Sequence, residues 1–244
     1  MERNELVLLR LSNQYLLRAG ERMEVLRAMN GFQAQFLSNA LYAMRLRSTA
    51  YDTAHAADSL VKSWTLRGTM HIFAEADLPL FLHTGCRYRS RDWTVPSFWN
   101  QRPNWALTPK RQAYFSDLII DALAQGPMTR EALKARCRAA GMTQAEEGSI
   151  FHPWGGGIRE LCERGFLCGT VSEEKAFRLC PAFTPMEEQD ALLEQTRRYF
   201  TNYGPASVRD AAYYFGTSQA EIKKRLARLP VEAVSYTHLR AHET

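Results

Sequence analysis

Along most of the chain apolar positions recur at helical spacing, and at two places they give way to short strand-like runs. Residues 5–18 carry apolar positions in mixed helical spacing, and residues 21–30 read as a short helix stopped by Gly31. Leu37, Leu41, Met44 and Leu46 make one apolar stripe, so a second helix is predicted there, and residues 54–62 predict another. Residues 64–66 and 69–73 are rich in β-branched and aromatic side chains and flank Arg67-Gly68, which predicts a hairpin. Residues 74–82 then open a helix with Glu75 and Asp77 in its first turns, where the helix dipole favours acids.

The pattern then repeats. Thr108-Pro109 opens a long helix to about Ala124, and Gly126-Pro-Met-Thr129 leads into the next, with Thr129 as its cap. A third helix runs from about Thr143 to Arg164, either through the Pro153-Trp-Gly-Gly-Gly157 stretch or broken by it. Residues 165–170 and 176–180 read as two strands with 172–175 between them. After a helix over 186–202, Gly204-Pro-Ala-Ser207 repeats the 126–129 signal; Ser207 caps a helix over 208–215 and Thr217 one over 218–229. Helices followed by a hairpin form a winged helix, and the repeat predicts tandem units of that build. The fold class expected is therefore mainly α with short β-hairpins, as tandem winged-helix (helix-turn-helix) repeats, truncated at the C-terminus. The expected boundaries are 1–107, 108–185 and an incomplete 186–233. Residues 234–244 continue neither period and resemble a translated sequencing adapter, so His238 and His242 are set aside as a metal pair.

Composition adds little except at one stretch. The net charge of +5 is a mild bias toward polyanions, or ordinary solubility charge. The five cysteines form no Cys-x-x-Cys pair, and an odd count without a signal peptide fits reduced thiols in the cytoplasm. Cys162 and Cys168 near His152 match no standard zinc spacing, so no metal is expected. No run approaches the ~18 apolar residues of a membrane span. Between residues 87 and 111, Arg87, Arg89, Arg91, Arg102, Lys110 and Arg111 alternate with Tyr88, Trp93, Phe98, Trp99 and Trp105. Basic side chains take phosphates and rings stack on bases, but the same stretch reads equally as a basic linker whose aromatics pack between units. His152 beside the glycines reads as part of an exposed loop.

Gln33 and Gln35 lie two apart in an apolar segment, and in extended chain such positions point the same way. Each amide carries a donor and an acceptor, so two on one side can hold a water between them; capping or inter-helix bonding is the plainer reading. The segment Gly31-Phe-Gln-Ala-Gln35, followed by Arg67-Gly-Thr-x-His71, resembles the winged-helix DNA glycosylases of the AlkZ/YcaQ class, in the Gln-x-Gln branch. The resemblance extends to about residue 230. It implies removal of N7-alkylated guanine, bulky and crosslinked adducts included, by a cytoplasmic monomer at the bacterial nucleoid. The partner would be duplex DNA, bound by lesion rather than sequence. Gln33 and Gln35 are then the catalytic pair that orients a water, with no cofactor. Asn39, Arg45, Arg47, Lys62, Arg67, Thr69 and His71 are the candidate DNA contacts, Asn39 and His71 the weaker ones, since such an asparagine is more often a helix-start residue and such a histidine a core residue. The competing expectation is a non-enzymatic winged-helix transcription regulator, for which the basic 221–228 helix would read the major groove.

Overall fold

The structure, a computed structural model, describes residues 3–82, 91–172 and 174–232. Helix α1 (Arg3–Asn13) is followed by α2 (Arg22–Ala28), capped by the Glu21 carboxylate, which accepts from the Met23 and Glu24 backbone N–H groups. Asn30 and Gly31 both turn left-handed (φ 56° and 75°) and end α2, as the glycine predicts. The chain leaves as a short strand β1 (Phe32–Gln33) and enters α3 (Leu37–Arg45).

The helix expected over 54–62 does not form. Residues 53–59 are bends and turns, and Leu60–Trp64 is strand β2. Leu60 and Val61 are buried in two different hydrophobic clusters on opposite faces, so burial on both sides and pairing along both edges override the local helical spacing. A single 3-10 turn at Leu66–Gly68 leads to β3 (Met70–Ala74). The next expected helix is split into a 3-10 turn, Glu75–Asp77, and a short α4 (Leu78–Phe81).

Beyond it the local signals hold well. Thr108 caps α5 (Pro109–Leu123), and β4 (Met128–Thr129) runs straight into α6 (Arg130–Ala139), capped by Thr129. Thr143 and Glu146 form a capping box on α7 (Gln144–Ile150). The proline-glycine stretch does break the helix, and α8 (Gly157–Glu163) follows. Then come β5 (Leu167–Gly169), β6 (Ala176–Leu179), α9 (Glu188–Tyr203), α10 (Val208–Phe215) and α11 (Gln219–Leu226). The cap of α11 is Ser218, one residue beyond the expected Thr217.

The two hairpins belong to one antiparallel sheet of order β1-β3-β2-β5-β6-β4, joined where Lys62 of β2 pairs Gly169 of β5. Below β1 and β3 lie Val25, Leu26, Phe32, Met44 and Ile72; on the other side Val61 and Phe73 pack with Phe81 and Cys168. A third cluster, around Phe115, Ile119 and Leu161, centres on α5 to α8. Helix α9 is tied to the N-terminal elements through a buried ion pair: Arg198 meets Asp77 at 2.7 and 3.0 Å and also donates to the Arg27 carbonyl at 3.0 Å.

Of the basic-aromatic stretch, Trp93 and Trp99 are buried and Trp105 packs on the α5–α8 core, while Phe98 is exposed. Arg91 and Arg111 are engaged by Asp117 and Glu146 at 2.8 and 2.7 Å. Arg87, Tyr88, Arg89 and the 234–244 tail lie outside the described residues. Among the described residues no helix is long and apolar enough to cross a membrane, and no group of three His, Cys, Asp or Glu is placed to hold a metal.

Candidate active site

Strand β1 and the bend that follows it present the two glutamines. Its register sets Phe32 opposite Ile72 and Gln33 opposite His71, and the Ala34 N–H extends the ladder by donating to the Met70 carbonyl at 2.7 Å. Phe32 and Ala34 are buried while Gln33 and Gln35 are exposed, the alternation of an extended chain anchored on one side. No hydrogen bond ties either amide to another described residue, so their donors and acceptors face solvent. Gly31 makes this close approach possible: a Cβ there would stand 2.5 Å from the Ile72 carbonyl oxygen.

The glutamines open onto a cleft of about 1070 Å³. From β1 to β3 its walls take Gln33, Gln35, Phe36, Lys62 and Thr69; from the later elements they take Arg130, Glu131, Trp154, Arg159 and Lys175. It exists because the β2–β5 pairing brings the two hairpins side by side. Lys62 is half-buried, and burial first, then the charge of Lys175, holds its ammonium below the ordinary lysine value. Two ammonium groups this near each other suit an anion between them. Neither is ion-paired to a described residue. The two arginines are engaged: Arg130 donates to the Phe151 carbonyl at 3.0 Å, and Arg159 pairs with Glu163 at 2.6 Å and lies 4.9 Å over the Trp99 ring. Glu131 is paired with Lys134 at 2.9 Å.

Of the residues expected to contact DNA, Lys62 and Thr69 line this cleft with the glutamines. Asn39 and Arg45 are exposed on α3, outside it. Arg47 is half-buried, donates to the Ala43 carbonyl at 2.9 Å and sits 5.5 Å over Phe32. Arg67, at the hairpin tip with φ 54°, lies 5.9 Å from the rings of Tyr213 and Tyr214, and so binds the hairpin to α10. His71 is in the core, 6 % exposed, with Nδ1 donating to the Thr69 carbonyl at 3.1 Å. Burial holds its pKa down to about 4, so it is neutral at physiological pH and braces the hairpin turn. Sequence reasoning did not single out Phe36, Arg130, Arg159, Lys175 or Trp154. Only the Pro153–Gly157 stretch carried a local signal, and it marked a loop rather than a site.

The sequence model of the family described as "DNA glycosylase AlkZ-like" matches residues 26–241. The chain belongs to the AlkZ-like DNA glycosylase family. The matched residues include both walls of the cleft. An "interstrand DNA cross-link repair glycosylase" of Streptomyces sahachiroi is 29 % identical over 202 residues, covering 76 % of this AlkZ-like chain and 52 % of that protein. The chain thus spans about half the length of the curated relative it matches. The solved structure of Streptomyces sahachiroi DNA glycosylase AlkZ superposes with a TM-score of 0.69 at 22 % identity, over 94 % of this chain and 66 % of that one. At that identity the likeness shows a shared fold.

Proposed function

We propose that this AlkZ-like chain hydrolyses the N-glycosidic bond of N7-alkylated guanine in duplex DNA, bulky and crosslinked adducts included. One observation carries the reading: two exposed amides, Gln33 and Gln35, line a cleft with two lysines, and none of the four is bonded to another described side chain. The family membership and the name of the Streptomyces relative support it. In the reaction a water oxygen bonds to the sugar C1′ as the C1′–N9 bond breaks. The electron pair passes into the base and neutralises the charge at N7, and the water's proton leaves to solvent. An amide orients a water through its carbonyl oxygen but is too weak a base to take its proton, so the chemistry depends on a leaving group that is already cationic. One glutamine oxygen also faces the developing positive charge of the sugar. Lys62 and Lys175 hold the backbone without reading sequence.

The repeat of β4–α6, α7–α8 and the β5–β6 hairpin after the α2–α3 and β2–β3 arrangement supports tandem winged-helix units. The test is release from two duplexes that differ in lesion charge, one carrying N7-methylguanine and one the neutral 1,N6-ethenoadenine. The chain is expected to release the first base and leave the second. Equal release of both, or release of neither by protein that binds both duplexes, overturns the proposal; in the latter case a DNA-binding regulator is the better reading.

A further inference from the structure

Trp154 stands on the cleft wall with 75 % of its surface exposed, and Phe36 on the glutamine wall is 69 % exposed. Fully burying a ring of this size gains on the order of 2–3 kcal/mol, so an indole held in water is an unfilled contact. The backbone beneath it is fixed on both sides. Arg130 donates from one nitrogen to the carbonyls of Phe151 and His152 at 3.0 and 3.4 Å. The Trp154 N–H donates to His152 Nδ1 at 3.3 Å, and the Gly155 N–H to the His152 carbonyl at 3.1 Å. Gly155 (φ 158°) lies so close to the Trp99 ring that any Cβ would overlap it, and Trp99 is itself buried and donates from Nε1 to Glu163 at 3.0 Å. Gly156 (φ 79°) sits equally close against the Ser149 carbonyl. The loop is therefore anchored to α7 and α8, and the indole at its tip is displayed from a rigid support.

We infer that Trp154 stacks on the base beside the lesion, filling the place in the helix stack that the alkylated guanine gives up. A planar ring serves any base, because every base has a π face, which suits a protein bound by lesion rather than by sequence. The two lysines supply the backbone contacts that keep such a stacked strand against the glutamine wall. Trp154 is a positioning residue here, and the inference rests on reading the cleft as the lesion site.

The test uses the 244-residue chain and a duplex with a stable abasic analogue next to 2-aminopurine, whose fluorescence reports stacking. Trp154→Ala is expected to weaken binding to this duplex about tenfold or more, in line with the worth of one base–aromatic stack, and to abolish the fluorescence change. Trp154→Phe restores most of both. Affinity for undamaged duplex, which rests on Lys62 and Lys175, falls much less, so lesion preference is what is lost. Equal binding and equal fluorescence changes for wild type and Trp154→Ala overturn the inference, as does absence of any binding. Trp154-dependent stacking without release of N7-methylguanine keeps the inference and removes the glycosylase reading. Base release with no effect of Trp154→Ala on binding or fluorescence does the reverse.

Discussion

Protonating His71 should destabilise this protein as the pH falls from 6.5 toward 4. The imidazole is 6 % exposed and sits between Gln33 and Ser63 on neighbouring strands, with Nδ1 committed to the Thr69 carbonyl and the Ser63 hydroxyl beside it lacking a partner. Burial lowers its pKa from 6.5 to about 4. In the unfolded chain the ring takes up its proton near 6.5; in the folded chain it does not until about 4. The unfolded state therefore binds more protons across that window, and folding stability is present in full above 6.5 and is lost as pH falls toward 4. At ~1.4 kcal/mol per pH unit the whole window is worth about 3 kcal/mol, of which about 2 kcal/mol is gone by pH 5. Urea denaturation of wild type and His71→Asn between pH 7.5 and 4.5 isolates this group, because the asparagine amide also donates toward Thr69 but does not titrate. Wild type should lose about 2 kcal/mol more than the variant between pH 7.5 and 5. Parallel pH dependences for the two proteins would refute the reasoning.

Gly31→Ala places a methyl against the Ile72 carbonyl in left-handed backbone, so it should lower stability by about 1–3 kcal/mol and reduce base release by pushing β1 off β3; a thermal melt and a release assay check both. Asp77→Ala strips the buried Arg198 of its bidentate partner, and a urea midpoint should report a loss of about 3–5 kcal/mol, less whatever Glu194, 2.8 Å from the same guanidinium, recovers. Replacing Lys62 and Lys175 together by alanine should flatten the slope of log affinity against log salt by about 2 for any duplex, whatever its sequence or lesion; an unchanged slope would take phosphate out of the cleft.

What the sequence disclosed and what it hid divide along the range of the interactions. Caps are local, so Thr108, Thr129, Thr143 and Ser207 begin helices where their spacing says. The end of α2 was equally legible, because Gly31 supplies the left-handed backbone that stops it. The first three residues of β2 were misread as helix because the strand is held by β3 on one edge and β5 on the other, more than a hundred residues away. That same long-range pairing builds the cleft, which is why Arg130, Arg159, Lys175 and Trp154 carried no site signal while Gln33 and Gln35, marked by a motif, did. The arginines near the motif were the reverse case. Proximity in sequence to the motif suggested Arg47 and Arg67 as phosphate ligands; the fold sets one over Phe32 and the other against the tyrosines of α10, contacts no local pattern discloses.

The most direct measurement is single-turnover release of N7-methylguanine from duplex DNA by the wild-type chain and by Gln33→Ala and Gln35→Ala, scored as alkali-labile strand breaks with folding and DNA affinity checked in each. Both side chains are exposed and form no hydrogen bond to another described residue, so both variants should fold and bind as wild type does. Each is expected to release base at least tenfold more slowly, the loss of a positioned water. Release at the wild-type rate by both folded variants would contradict the assignment of the glutamine pair as the catalytic centre.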